Sequence, residues 1–390
     1  MLRFSGFDDE WKKCKLKEIS NIQDGTHATP NYTDEGIPFY SVETITSDAP
    51  PKFISNEEHQ KLIKRCEPKF GDILLTRIGT LAKSKIVDWH EEFSIYVSLA
   101  LLSEIKINNK FLNQYIQTEI YQKEFLKRSL LLAIPQKINL KDLNETIIKY
   151  PSKKEEEKIA NFLDLIDKKI ELLTHKYKKY VSFKKYLMQQ IFTQKLRFNF
   201  IDDWDVVKLE TLIEKGKAGG TPPSTNPDYY NGEIPFLSIK DMTEQGKYIV
   251  KTEKSITEEG LNNSSAWIIP KYSLLYSIYA SIGLVSINLT EVSTSQAIYG
   301  IILKEGVSLE YMYYYLTYFK KNIHRYVETG TQGNLNAKLL KSFEIALPSV
   351  DEQEMIVNIL SLVDKKIENM EKEVGKMNEF KKGLLQQMFI

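Results

Sequence analysis

Residues 159–191 read IANFLDLIDKKIELLTHKYKKYVSFKKYLMQQI. Ten positions in this stretch, Ile159, Leu163, Ile166, Ile170, Leu173, Tyr177, Tyr180, Lys184, Leu187 and Ile191, fall alternately four and three residues apart. That spacing is the seam of a coiled coil along one face of an α-helix. An offset of 197 turns the set into Ile356, Leu360, Val363, Ile367, Met370, Val374, Met377, Lys381, Leu384 and Met388. The copy is apolar wherever the first seam is apolar or aromatic, and lysine where it is lysine. The same offset relates DKKIE at 167–171 to DKKIE at 364–368, Ile37-Pro38-Phe39 to Ile234-Pro235-Phe236, and Pro151-Ser152 to Pro348-Ser349. One constant offset over so many elements marks the duplication of a unit made of a globular domain and a long helix.

Each helix runs about 40 residues, roughly 60 Å at 1.5 Å per residue. A lone helix with one apolar stripe does not hold in water, so each needs a partner, and its own copy is the obvious one. The intervening globular part brings the chain back, which predicts two antiparallel helices in an intramolecular coiled coil with internal pseudo-two-fold duplication. Lys184 and Lys381 are the charged seam positions; they either set the register or snorkel while Phe183 and Phe380 pack inward. The helices begin after Pro151 and Pro348, where Ser152 with Glu155, and Ser349 with Glu352, read as capping boxes. Short β-like segments such as 37–42, 73–76 and 85–87, broken by Gly, Pro, Asn and Asp, together with a helix over 110–131, predict mixed α+β heads. The expected layout is a head at 1–150, a long helix at 151–197, a second head at 198–347 and a second long helix at 348–390.

At 390 residues, with 42% hydrophobic and 27% charged residues, the chain is long enough for several cores and is neither disordered nor collagen-like. The N-terminal stretch has no apolar run that would serve as an export signal, and no segment has the roughly 18 apolar residues of a membrane span. A cytoplasmic chain with no membrane partner is expected, with Cys14 and Cys66 as thiols. Lys+Arg 53 against Asp+Glu 52 leaves +1 overall, so charge informs only locally. Residues 153–197 hold twelve basic and six acidic residues, and 348–390 six basic and eight acidic, which solvated helix faces explain. The five histidines, His27, His59, His90, His175 and His324, show no metal-ligand spacing.

The heads carry polar loops beside apolar strands. In the second, 216–226 (GKAGGTPPSTN) is followed by 232–242 (GEIPFLSIKDM); in the first, the shorter 25–30 (GTHATP) is followed by 36–45 (GIPFYSVETI). Residues 70–80 (FGDILLTRIGT) answer to 272–283 (YSLLYSIYASIG), and 133–139 (AIPQKIN) to 330–335 (GTQGNL), with Thr294-Ser295-Gln296-Ala297 between. In this order, duplicated together with the helices, the motifs resemble those of the DNA-specificity subunit (HsdS) of type I restriction-modification enzymes, over essentially the whole chain.

The resemblance implies two target-recognition domains that read a bipartite, asymmetric site in double-stranded DNA, with the helices as the spacer that sets the gap. It also implies two methyltransferase (modification, HsdM) subunits and restriction (motor-nuclease, HsdR) subunits as partners. S-adenosylmethionine, ATP and Mg would then bind those partners, and this chain none of them. Loop residues of the types that read bases and phosphates are the expected DNA contacts. In the first head these are His27, Thr29, Arg77, Thr80, Lys83, Lys85, Gln136 and Lys137. In the second they are Lys217, Thr221, Ser224, Lys240, Tyr276, Tyr279, Gln296, Gln332 and Asn334.

Two other readings are a coiled-coil scaffold without DNA specificity and a stand-alone DNA-modifying enzyme. The first leaves the duplicated polar loops unexplained. Against the second, Asn226-Pro227-Asp228-Tyr229 lacks the second proline of an adenine-methyltransferase element and reads as a turn, and Gly216-Lys217 lacks P-loop spacing.

Overall fold

The computed structural model describes residues 2–47, 49–198, 200, 202–279, 281–325 and 335–389. They form two compact units, Met1–His175 with Glu371–Ile390, and Lys176–Met370. Each unit takes one end of each long helix, Lys153–Phe192 and Val350–Met388. No separate helical domain exists among the described residues, because a head and the helix ends beside it share one core.

In the first unit, one sheet orders Asn21–Asp24, Leu99–Ser103, Ile73–Thr76 and Ser84–Ile86, all antiparallel. Its middle strands, ILLT and LALLS, are unbroken apolar runs, the pattern of strands covered on both faces. Ile73, Leu75, Ala100 and Leu102 pack into one core with Ile159, Leu163 and Ile166 of the first long helix and Leu384 and Met388 of the second. Leu74, Leu99 and Leu101 pack into another with Cys66, Phe93 and Ile95. The latter core faces a smaller sheet, ordered Tyr32–Thr33, Lys52–Ile54, Ile37–Tyr40 and Ser94–Ile95. Lys12–Lys15 pairs with Ile147–Tyr150 and leads the chain into the helix.

The second unit repeats the plan. A five-stranded sheet orders Ile213–Ala218, Ile298–Leu303, Leu274–Ser277, Val285–Asn288 and Tyr248–Ile249, and a smaller sheet orders Lys254–Ile256, Tyr230–Leu237 and Ser293–Thr294. Asp205–Lys208 pairs with Glu344–Leu347. Its core takes Leu187 and Ile191 from the first helix and Ile356 and Leu360 from the second.

The seam is buried as its spacing predicts. Leu173 and Met370 join the core residues just named in being buried, while Ile170, Val363 and Ile367 are half-buried. Inside the first unit Asp167 of one helix meets Lys381 of the other at 2.7 Å, and the start of the first helix packs on the end of the second, so the pairing is antiparallel and within one chain. In the second unit the copied pair, Lys184 and Asp364, meets at 2.5 Å.

These pairs decide the role of the seam lysines. They do not snorkel, and Phe183 and Phe380 do not pack inward; the two rings are 47% and 52% exposed. Each lysine instead reaches the aspartate that opens the other helix's DKKIE. That aspartate also accepts a hydrogen bond from its head, from Gln114 Nε2 at 2.5 Å to Asp167 and from the Tyr314 hydroxyl at 2.7 Å to Asp364. A polar pair at a single seam level has one satisfying partner, and so it specifies register.

Two local expectations are corrected. Ser349 Oγ accepts from Glu352 N at 3.4 Å, one half of a capping box, but neither the Glu155 nor the Glu352 carboxylate completes one. Each is 2% exposed at its side chain and lies in a bidentate ion pair, with Arg3 and Arg197 respectively, at 2.8–2.9 Å. Trp204 Nε1 donates to Glu352 as well, at 2.9 Å. The helix expected over 110–131 is two, Asn109–Ile116 and Glu119–Lys127, because Thr118 turns the chain by donating to Tyr115 O at 2.6 Å and accepting from Tyr121 N.

Both cysteines are free thiols. Burial pushes Cys66 up to about 12 and Cys14 up to about 11. The thiolate is the reacting form, so at pH 8 a thiol reagent such as Ellman's should leave both largely unreacted in the folded chain and titrate both after denaturation in guanidinium. A fast native-state reaction at Cys66 would contradict its burial. Among the described residues no helix is long and apolar enough to cross a membrane.

Candidate nucleic-acid interface

In each unit the IPF strand runs parallel to a short strand, Phe39 beside Ser94 and Phe236 beside Ser293. That pairing brings the glycine-led loop of the unit against the turn that follows the short strand. In the first unit a Cβ on Gly25 would lie 2.0 Å from Ile95 O, so only glycine lets the loop pass. Thr26 N then donates to Ile95 O at 3.1 Å and Val97 N to Thr26 O at 2.9 Å, leaving His27 and Thr29 exposed at the surface.

Beneath them Asp24, only 4% exposed, accepts from Arg77 Nη1 at 3.1 Å and Arg65 Nη2 at 2.6 Å, and lies 3.0 Å from His27 Nε2. Arg77 is itself 6% exposed; it donates further to Val97 O at 3.0 Å and Ile138 O at 3.2 Å. Desolvation lowers its pKa against the opposing pull of Asp24. The expectation that Arg77 reads a base is therefore corrected: the side chain is buried and its Nε and Nη1 donors are engaged inside the protein, where it ties three loops together.

Arg77 and its neighbours hold the remaining first-head candidates in one place. Gly79 N donates to Gln136 O at 2.8 Å, Ile138 N to Arg77 O at 3.0 Å, and Gln122 Nε2 to Ala82 O at 2.8 Å. Thr80, Lys83 and Gln136 are exposed and Lys137 half-buried on these loops, and Lys85 is exposed on the strand Ser84–Ile86. The Lys85 ammonium sits 5.2 Å from the centre of the Trp89 ring.

The second unit has the same construction with a longer loop. A Cβ on Gly219 would come within 2.1 Å of Thr294 O and 2.6 Å of Ser295 O; Gly219 N donates to Ile298 O at 3.0 Å and Gly220 N to Thr294 O at 2.9 Å. Tyr230 Oη donates to Pro222 O at 2.6 Å and closes the loop. The structure brings Thr221 and Gln296 together, with the threonine hydroxyl donating to Gln296 Oε1 at 2.6 Å. Tyr279, 37% exposed, is linked to the same turn by its backbone N–H to Ala297 O at 3.4 Å. Thr221 orients the amide and leaves its NH2 and a second carbonyl lone pair facing solvent, the donor–acceptor set that matches adenine.

Other second-head candidates lie apart from this group or are occupied. Lys217 and Ser224 are exposed. Lys240 is paired with Glu253 at 2.8 Å and with Glu244 at 3.9 Å, and the Glu253 hydrogen bond raises its pKa. Tyr276 is corrected: it is 0% exposed, packs edge-on against Phe343 in the sheet core, and its hydroxyl has no hydrogen-bond partner among the described residues. All four residues of the strand Leu274–Ser277 are buried, so no polar–apolar alternation marks which way the ring points. Gln332 and Asn334 lie outside the described residues.

Two groups escaped the sequence reading. Arg65, 57% exposed at its side chain, stands at the mouth of the Asp24 cluster, and nothing in its local sequence marks it. Trp267 has the Lys215 ammonium 5.0 Å from its ring centre and donates from Nε1 to Lys217 O at 3.3 Å. Asn226-Pro227-Asp228-Tyr229 is a turn, with Asn226 Oδ1 accepting from Asp228 N at 3.1 Å. Among the described residues no group of three or more His, Cys, Asp or Glu is placed to hold a metal.

Fold and loops together define a duplicated, loop-presenting protein built on paired helices, with the variable polar residues on the loops and the repeated ones in the cores. The family model of the type I restriction modification DNA specificity domain matches residues 8–179 and again 201–376; the chain belongs to that family. Among curated relatives, the type I restriction enzyme MjaIX specificity subunit of Methanocaldococcus jannaschii is 35% identical over 194 residues, 48% of this chain and 44% of that one. The EcoR124I/EcoR124II specificity subunit of Escherichia coli is 32% identical over 171 residues, 40% of this chain and 41% of that one. The alignments thus span less than half the length of either relative. A putative MjaX specificity subunit from Methanocaldococcus jannaschii aligns across 97% of this chain and 92% of its own, at 27% identity. A crystal structure of the type I restriction-modification S subunit from M. genitalium shares the fold, with a TM-score of 0.62 at 16% identity over 100% of this chain and 98% of that one.

Proposed function

We propose that this chain is the DNA-reading specificity subunit of a type I restriction-modification complex, a recognition and assembly component and not itself the methyltransferase or nuclease. The observation that carries this reading is the twofold family match, one copy in each unit, with a glycine-led loop in each that presents exposed polar side chains. Because the loops of the two units differ in sequence, the two half-sites differ and the target is asymmetric. In the first unit the contacts are His27, Thr29, Thr80, Lys83, Lys85, Gln136 and Lys137, with Arg65 added. In the second they are Lys217, Thr221, Ser224, Tyr279 and Gln296.

The partners are modification subunits, two of them, and restriction subunits, which bind S-adenosylmethionine, ATP and Mg; the complex works on DNA in the cytoplasm. Support for docking comes from apolar side chains that neither unit covers. Leu165, Leu172 and Phe380 are 65%, 49% and 52% exposed in the first, and Leu362, Phe183 and Tyr186 are 68%, 47% and 59% exposed in the second. Leu165 and Phe183 have Leu362 and Phe380 as their copies, as expected if each unit offers an equivalent surface.

Methylation-aware sequencing of host DNA, with and without the gene for this chain, tests the proposal. One asymmetric bipartite motif should lose its methylation when the chain is removed; unchanged methylation everywhere would refute the assignment. Within that motif, Gln296→Ala should cost about 1–3 kcal/mol at a single base position of one half-site, read by competition binding over single-base variants. An equal loss at all positions would make Gln296 a positioning contact.

A further inference from the structure

The first unit carries a rigid apolar tip that neither its fold nor the contacts assigned above use. After the helix Glu119–Lys127, residues 129–136 read SLLLAIPQ. Leu130 and Leu131 are 46% and 44% exposed, and Leu132 and Ile134 are wholly so. The turn is nonetheless tightly held: Leu130 N donates to Lys137 O at 2.7 Å, Ala133 N to Leu130 O at 3.2 Å, and Gly79 N to Gln136 O at 2.8 Å, with Arg77 locking Ile138 below. Exposed loop tips ordinarily carry small or polar residues, and large apolar side chains held out in water mark a contact surface.

The charge around the tip selects its occupant. Residues 126–141 contain Lys127, Arg128, Lys137 and Lys141 and no carboxylate, and the adjoining 77–85 contain Arg77, Lys83 and Lys85 and none. Arg77 is spent on Asp24 and Arg128 on Glu124, at 2.6 Å, and the lysines remain. In a chain with 53 basic and 52 acidic residues this is a strongly one-signed neighbourhood. A surface that is anionic outside and apolar within is the DNA duplex, with phosphates at its rim and stacked base faces inside. Proteins that deform DNA insert aliphatic wedges between base steps in this setting.

We infer that residues 130–134 form a wedge, with Leu132 and Ile134 entering the base stack at one step of the half-site read by the first unit while the flanking lysines hold the phosphates. The inference rests on the DNA-reading assignment above and adds a deformation to it. The counterpart in the second unit, 326–334 (YVETGTQGN), has one aliphatic residue and a glutamate, so only one half-site is kinked. Specificity then extends to the step that is unstacked, and flexible pyrimidine–purine steps are favoured there.

The test places 2-aminopurine, whose fluorescence is quenched by stacking, at successive positions of the motif other than the adenines that the modification partners flip out for methylation, and adds the full chain with those partners. Fluorescence should rise at one step in the first half-site only. Leu132→Ala with Ile134→Ala should abolish the rise and weaken binding on the order of tenfold, and Leu132→Met with Ile134→Met should restore both. A wild-type complex that binds its motif with flat fluorescence throughout overturns the wedge and leaves the DNA-reading assignment standing, as does a double alanine variant that keeps full affinity and instead loses a partner subunit. A wild-type complex with no sequence preference overturns the assignment and the wedge with it.

Discussion

Replacing Asp24 by alanine should cost the first unit about 3–5 kcal/mol of stability, the range for breaking a buried ion pair from one side. Asp24 and Arg77 are 4% and 6% exposed. Without the carboxylate, Arg77 keeps only the Val97 and Ile138 carbonyls, and a guanidinium cannot shed its proton to escape the penalty. Arg65→Ala is the control: its side chain is 57% exposed, so its pair with the same aspartate is worth no more than about 1 kcal/mol. A double change, Asp24→Ala with Arg77→Met, should recover much of the loss by removing the stranded charge. Urea denaturation of the full chain measures all three; equal costs for Asp24→Ala and Arg65→Ala would refute the burial argument. Because Arg77 ties the 77–80 and 136–138 loops together, Arg77→Ala should weaken the whole first half-site evenly, and not one base of it.

Gly219→Ala should nearly abolish recognition of the second half-site while the unit stays folded. The added Cβ would meet Thr294 O at 2.1 Å and Ser295 O at 2.6 Å, backbone atoms of the turn that presents Gln296, and neither side can yield without moving the loop. Displacing Thr221 removes the hydrogen bond that orients the Gln296 amide. Losing two to three oriented base contacts at about 1–3 kcal/mol each predicts a fall of at least about thirtyfold on the cognate site. Competition against a scrambled second half-site checks it: discrimination should collapse at that half alone, with circular dichroism unchanged. A variant that still discriminates there would mean that the loop is not the reading element.

Much of this molecule is local in origin and was legible from residues in order. The seam, the duplication and the antiparallel pairing follow from a three-four apolar repeat copied at 197 residues, because an unpaired amphipathic helix of that length has no other stable state. The strand expected at 73–76 is there, and beside LALLS it is covered on both faces. The glycine-led loops were legible as polar loops beside apolar strands, and in the structure Gly25 and Gly219 lie where only hydrogen fits. Boundaries set by one side chain were less legible: Thr118 splits the expected helix, since a hydroxyl competing for backbone partners leaves no mark on hydrophobic periodicity.

What a polar side chain does depends on what is brought beside it from far along the chain, and there the tertiary structure decided. Arg77 and Tyr276 carry the residue types of base readers, yet one is claimed by Asp24, 53 positions away, and the other is packed on Phe343. Lys184 and Lys381 find aspartates on the opposite helix, and Glu155 and Glu352 find arginines more than 150 positions away. Desolvation makes each of these charges costly until a partner arrives. The sequence by itself therefore determined the duplicated architecture and which loops are presented, since backbone pattern and burial are set by near neighbours; only the tertiary structure decided which charges are spent inside and which are left exposed on the loops.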